Sequence, residues 1–451
     1  MVNVSQLSLS TMFKNLILVP AVLVLFGACN SKEKPAGPTE ITTWQYGKNA
    51  AVSLTYDDGS TNQFAQALPI MNRLGFPATF FIITGQIPGS QYQGRFIGRP
   101  VKEIIRETAT QPTNRENFFE RASAVGFLGY QGTIDYHTQA GALIDAGKEA
   151  EAYRVIDEVY KKVREGGFKP GYQSNNEVAE AKGVTWDKIR EYAKQGHEFA
   201  SHTVTHPRLA ALDEANMLYE LEKSKADILK QLGPEYTFSA EGPYGTENER
   251  VVAYASKIYP ALRNRMPEPY LAEINRGSKM QPGAAKKEYV QWQRGATTKT
   301  PLPLMKSWVD TVAAHPNNWL VLVFHGVDDI GWEALPHELL AEYFEYIKQK
   351  EDKLWVATFG DVTKYMRERM NAKVQVSEKD NKVLVNLSHS LDPKLYNLPL
   401  TLKSYVTSDW KTVQVKQGEK VQRVQPRQDT KGPFILYQAL PNAQPVELSG
   451  I

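Results

Sequence analysis

Two hydrophobic periods divide the chain. From residue 44 to about 370, short continuous apolar runs alternate with segments whose apolar residues recur every three or four positions. The runs are Ala51–Tyr56, Ala78–Thr84, His197–Ala200, Tyr236–Ala240, Trp319–Phe324 and Leu354–Thr358. They read as buried strands. The periodic segments read as helices over Thr61–Leu74, Trp186–Gln195, Asp213–Gly233, Leu304–Ala314, Glu333–Lys350 and Asp361–Met370. In the first of these Phe64, Leu68, Met71 and Leu74 share a face and Gly75 is the stop. Strand–helix–strand alternation predicts a parallel α/β sheet. From about Lys373 the period falls to two, at Val374/Val376, Val383/Val385, Leu400/Leu402, Val413/Val415 and Ile435/Tyr437. That predicts a small all-β, sandwich-like domain over 372–451.

Residues 86–180 break the rhythm and read as an insertion. It contains one clear helix, Lys148–Arg164, with Ala152, Ile156, Val159 and Val163 on one stripe. Tyr92, Phe96, Phe118, Phe119, Tyr130 and Tyr136 either build the insertion's own core or wall a groove. Tyr396, Tyr405 and Trp410 pose the same choice in the tail.

Three apolar runs end in polar groups that can do chemistry. The first ends in Asp57-Asp58-Gly59. Side chains alternate on a strand, so both acids can face one site only if the strand stops there, and Gly59 supplies the turn. Two adjacent carboxylates need a compensating cation or proton, unless they form a solvated Asp-Gly turn. The second run leads into Ser201-His202-Thr203-Val204-Thr205-His206. On a strand the two histidines would stand roughly 13 Å apart, too far to share an ion. A helical turn would bring them within reach. Two imidazoles and a carboxylate make up the protein ligands of an open catalytic zinc-type site, unless the histidines are capping or core residues. The third run ends in His325. Strands that deliver such residues at their C-terminal ends are the active-site plan of an α/β barrel.

Thr55-Tyr56-Asp57-Asp58-Gly59, the histidine pair, Gly242-Pro243-Tyr244-Gly245 and the strand ending in His325 resemble, in order and spacing, the motifs of polysaccharide deacetylases, carbohydrate esterase family four. The resemblance spans roughly 44–370 and implies a distorted (β/α) barrel over 43–371. It implies that Asp58, His202 and His206 hold a divalent metal, zinc first, with cobalt, nickel or manganese as alternatives. It makes Asp57 the general base, although the residues alone allow Asp57 and Asp58 to exchange roles. It makes His325 the group that protonates the leaving atom, and the Tyr244 backbone N–H an oxyanion donor. The implied activity removes acetyl groups from a polysaccharide or oligosaccharide. N-acetyl groups come first, because an amine leaving group gains more from an acid than a weakly basic alkoxide does. The alternatives are an O-acetyl esterase and a catalytically impaired carbohydrate-binding lipoprotein. The last is suggested by Glu241, which stands where the family carries an arginine. Arg263 or Arg265 could replace that charge. The partner of His325 is unassigned.

Composition adds an address. Residues 1–29 read as an export signal: Lys14, an apolar run over 16–25, then Phe26-Gly27-Ala28-Cys29, similar to a bacterial lipoprotein signal. Cys29 is the only cysteine, so no disulfide forms within the chain. Its lipidation would anchor the protein to a membrane, facing the periplasm or the cell surface. The other reading is a soluble secreted protein with an incidental cysteine. Residues 30–42 read as a linker. A net charge of +3 on 451 residues gives no field that suggests nucleic acid. The expected partners are an acetylated glycan and the membrane.

Overall fold

The computed structural model describes residues 37–172, 183–266, 268–379 and 381–451. The signal region and Cys29 lie outside the described residues, as does 173–180 of the insertion. A short strand β1 (Thr39–Ile41) precedes β2 (Ala50–Tyr56), all seven of whose residues are buried. The chain continues through β3 (Ala78–Ile82), β4 (Glu198–Ser201), β5 (Ser239–Ala240), β6 (Ala261–Leu262), β7 (Leu271–Ile274), β8 (Tyr289–Gly295), β9 (Asn318–Phe324) and β10 (Leu354–Val356). These form one parallel sheet in the order β6-β5-β4-β3-β2-β9-β8-β7, with β10 also on β2. β10 takes Ala50–Val52 on one edge of β2 and β3 takes Leu54–Tyr56. The sheet curls into a barrel open between β6 and β7, which do not pair. Side-chain amides cross that seam: Gln293 Nε2 donates to the Arg263 carbonyl at 2.7 Å, and Asn275 Nδ2 to that of Asn264 at 3.2 Å.

Helices pack outside. A π-helical turn, Gln63–Ala67, runs into α1 (Leu68–Leu74), with Gly75 left-handed at its end. Phe64, Leu68, Met71 and Leu74 face the core, each contributing ~1.5–3 kcal/mol through burial. The insertion folds as α2 (Val101–Glu107), α3 (Phe118–Val125), α4 (Thr133–Asp145) and α5 (Glu149–Arg164). Only the last has a stripe long enough to read from sequence. Phe96, Phe118, Phe119, Tyr130 and Tyr136 pack within the insertion's own cluster. The structure therefore assigns them to packing, not to a groove.

The remaining barrel helices are α6 (Trp186–Lys194), α7 (Glu214–Leu232), α8 (Glu249–Ile258), α9 (Leu302–Ala314), α10 (His337–Lys348) and α11 (Phe359–Asn371). Thr185, Asp213, Asn248 and Thr358 cap their helices by accepting N–H bonds. α10 begins four residues later than its pattern suggests. Pro336 precedes it, and Glu333 has positive φ, which no helix accommodates.

The tail forms two antiparallel sheets. One contains β11 (Lys373–Lys379), β12 (Lys382–Ser388), β18 (Val446–Gly450), β14 (Val413–Gln417) and β15 (Lys420–Val424). The other contains β1, β13 (Leu400–Tyr405), β17 (Gly432–Ala439) and β16 (Arg427–Asp429). Thr39–Ile41, expected to be linker, thus belongs to the C-terminal sheets. They share a core with the barrel, in which Trp44, Trp319 and Tyr365 join Val385, Leu402 and Tyr437. Tyr405 is buried and Tyr396 and Trp410 pack against this core, so all three are packing residues. Among the described residues, no helix is long and apolar enough to cross a membrane.

Candidate active site

The strand register brings the predicted residues together. Asp57 continues the ladder of β2, donating its N–H to the Phe324 carbonyl at 3.0 Å. The chain then turns at Asp58 itself (φ 74°) and at Gly59 (φ 75°), one residue earlier than expected. This reversal puts both carboxylates on one side of the strand end. A Cβ at Gly59 would lie 3.2 Å from Ile82, on top of an already strained backbone. Gln63, in the π turn, ties the two catalytic strand ends together. Its Nε2 donates to the carbonyls of Asp57 (2.5 Å) and His325 (2.8 Å). Pattern reading did not single out Gln63, although a wide turn next to a site is a common functional device.

The histidine pair sits on neither a strand nor the predicted helical turn. β4 ends at Ser201, and residues 202–208 form an irregular loop with Thr203 and His206 at positive φ. Thr203 Oγ1 accepts from His206 N at 3.0 Å and closes the turn. Glu220 on α7 accepts from Val204 N and Thr205 N, both at 2.8 Å, and from Thr205 Oγ1 at 2.7 Å. Gly85 lets the loop dock, because a Cβ there would lie 2.5 Å from the Val204 carbonyl oxygen. A buried carboxylate thus shapes the turn in place of helix hydrogen bonds.

The result is a tight cluster. Asp58 Oδ1 lies 3.5 Å from His202 Nε2 and 3.3 Å from His206 Nε2. Ligand atoms of these three buried residues all fall within 4.8 Å of one another. His202 Nδ1–H donates to the Glu241 carbonyl at 3.1 Å, with the Glu241 carboxylate 2.8 Å away. That partner holds the proton on Nδ1, so Nε2 is the ring atom turned towards Asp58 and the one free to bind an ion once the ring is neutral. Burial alone would lower the His202 pKa, but Glu241 and Asp58 outweigh it and raise it well above the usual value. The same negative field favours a cation, and one carboxylate with two imidazoles suits a divalent metal.

A second trio, Asp57, His202 and Glu241, is equally compact but already has its cation. Fully buried Arg263, following β6, bonds Asp57 through both ends of its fork (2.5 and 2.7 Å) and reaches Glu241 at 3.0 Å. It also donates to Thr55 Oγ1 at 3.1 Å and lies over the Phe81 ring. Of the two arginines considered, Arg263 supplies the charge, while Arg265 turns away and pairs with Glu249. Asn264 Nδ2 adds a bond to Glu241 at 2.6 Å. Burial opposes ionisation of Asp57, but Arg263 and then His325 hold its carboxyl well below the usual range. The Asp58 carboxyl is also held low, where bonds from His202 and His206 overcome burial.

His325 Nε2 lies 3.3 Å from Asp57 Oδ2, and its ring meets Trp332 edge-on at 4.7 Å. Burial lowers its pKa, against the opposing pull of Asp57 and Asp58. Its neighbours are thus Asp57 and Trp332, found only through the fold. Tyr244, at φ 61° in a short turn, packs its ring 4.7 Å from His206 and 4.5 Å from the Arg208 guanidinium. Asp57, Asp58, His202, His206, Tyr244 and His325 all line one cavity of about 360 Å³.

Comparison with known proteins matches a polysaccharide deacetylase family model over residues 45–114 and 149–259. The match contains Asp57, Asp58, both histidines and Tyr244, and stops short of Arg263 and His325. A gellan lyase from Bacillus sp is 27% identical over 281 residues, covering 58% of this chain and 11% of the lyase. Two solved structures also resemble the chain. A family 4 carbohydrate esterase from Bacillus anthracis is 13% identical with a TM-score of 0.33, covering 72% of this chain and 86% of its own. The chitin deacetylase of the fungal pathogen Colletotrichum lindemuthianum is 13% identical with a TM-score of 0.33, covering 70% and 88%. The acidic pair and the histidine turn fall within the matched segments and meet at one barrel mouth, so over 45–114 and 149–259 the chain carries a polysaccharide deacetylase domain.

Proposed function

We propose that this protein is a metal-dependent hydrolase that removes acetyl groups, N-acetyl first, from an acetylated glycan. The observation that carries the proposal is the Asp58–His202–His206 cluster sharing one cavity with Asp57, which Arg263 locks from behind. Asp58, His202 and His206 would hold the divalent cation, zinc first, which when bound supplies Lewis-acid polarisation of the acetyl carbonyl. Arg263 keeps Asp57 ionised and aimed, so Asp57 can accept the proton of the attacking water. A carboxylate held this acidic keeps a proton poorly. His325, at 3.3 Å and neutral at rest, is placed to pass that proton to the departing nitrogen. The C–N bond then breaks, acetate and free amine leave, and both residues return to their starting charge. The Tyr244 backbone N–H is the proposed second donor to the developing oxyanion.

Glu241 at the position of the family arginine does not by itself argue for a lost activity, because Arg263 delivers the guanidinium to Asp57 from the neighbouring strand. Export and lipid anchoring through Cys29 complete the proposal and rest on the sequence pattern alone.

The test is acetate release from N-acetylated and O-acetylated oligosaccharides, with and without chelator. Asp58→Asn is expected to lose metal. Asp57→Asn is expected to keep metal and lose turnover by about 10²–10⁴-fold. Equal metal loss in both variants would reverse the two assignments, and release insensitive to chelator would overturn the metal reading.

A further inference from the structure

The catalytic cavity does not end at His325. Past His325 and Trp332 it opens into a second cleft of about 850 Å³, with Arg276, His325 and Trp332 forming walls of both. Such a volume accommodates a ligand of several rings. The chemistry of the cleft is one-sided. Its described lining includes two arginines, Arg276 and Arg294, and no aspartate or glutamate. Arg294 projects from β8 and lies over the Trp292 ring at 4.4 Å. Arg276 follows β7 and runs along Gly295, where a Cβ would lie 3.1 Å from its Cδ. Several other buried or half-buried arginines pair with carboxylates, as Arg263 does with Asp57, Arg121 with Glu107 and Arg367 with Glu268. Among the described residues, no such partner faces Arg276 or Arg294 in the cleft. Trp332 stands at the junction 49% exposed, a large ring left open where the two cavities meet. Tryptophan faces suit the apolar face of a sugar ring, and unpaired guanidinium forks suit carboxylates.

We propose that this cleft is a subsite for an acidic sugar, one bearing a carboxylate, next to the residue held at Asp57 and His325. Trp332 supports the sugar ring at the junction, and Arg276 and Arg294 take its carboxylate. The glycan is then anionic as well as acetylated. This deepens the deacetylase reading, since it names the substrate class of that same site.

Binding tests it independently of turnover. The probes are a glucuronate tetrasaccharide and its carboxyl-reduced neutral twin, neither bearing acetyl groups, titrated calorimetrically into the full metal-loaded chain. The acidic probe is expected to bind at least about 10-fold tighter at low salt, and salt should erode that advantage. Arg276→Gln and Arg294→Gln are each expected to weaken the acidic probe by roughly 5–10-fold and leave the neutral twin unchanged. Equal binding of the two probes to the wild-type chain overturns the proposal, and needs no variant. So does an acidic advantage that survives both substitutions. A sulfate-ester tetrasaccharide that binds more tightly than the glucuronate probe overturns the carboxylate assignment. Acetate release is scored separately. Acidic preference without acetate release leaves the subsite standing and removes the deacetylase reading. Release without acidic preference does the reverse.

Discussion

Replacing Arg263 with glutamine should be the most damaging single change near the site. The guanidinium is fully buried and makes two bonds to Asp57, one contact with Glu241 and one bond to Thr55. Its loss leaves two buried carboxylates without their shared counter-ion. Removing one partner of a buried ion pair costs about 3–5 kcal/mol. Glu241→Gln is milder, because Arg263 keeps Asp57 and only the Glu241 contacts with Arg263, His202 and Asn264 weaken. About 1–3 kcal/mol is expected there. The double variant removes one of the two buried charges that Arg263→Gln would otherwise strand, that of Glu241. It should therefore cost about 2 kcal/mol less than the sum of the singles. Urea unfolding of the four proteins with chelator present, so that metal does not mask the difference, measures all the terms. Additive costs, or an Arg263→Gln variant within 1 kcal/mol of wild type, would falsify the shared counter-ion argument.

Two further predictions concern groups that act through others. Glu220→Gln removes the charge that gathers the backbone of the histidine turn. It should weaken metal affinity by about 10–100-fold, as read by competitive metal titration, and unchanged affinity would show that the turn holds itself. His197 accepts from Ala78 N at 3.1 Å and bonds Asn72 at 2.9 Å, and burial pushes its pKa from 6.5 down to about 4. The unfolded chain therefore binds the extra proton first. Stability from this residue is full above pH 6.5 and is lost as the pH falls towards 4, about 2 kcal/mol of it by pH 5. His197→Gln should remove that part of the slope in urea unfolding followed from pH 7.5 to 5. An unaltered slope would assign the acid sensitivity to other groups.

What could be read in advance depended on whether the signal was local. Asp57, Asp58, His202 and His325 each follow an apolar run, so their place at or just past strand ends was visible without a structure. Arg263 was visible only as one of two choices, because its partnership with Asp57 depends on the sheet curling until the end of β6, four places from β2 in the strand order, faces the end of β2. The pair needed a turn, but the helical one expected is replaced by a loop whose hydrogen bonds come from Glu220, a residue 14 positions beyond His206. Short helices such as α2 and α3 carry too few turns for a stripe. The C-terminal alternation was legible strand by strand, but nothing in the composition of 39–41 marked it as part of that sheet.

That pairing has a consequence for how the polypeptide is made. Thr39 lies opposite Ser404, 365 positions later. On a ribosome the opening segment must wait, unpartnered, until nearly the whole chain has emerged. Shortening the protein from its far end should therefore disturb its beginning, and a transplanted barrel would need both ends moved as a set.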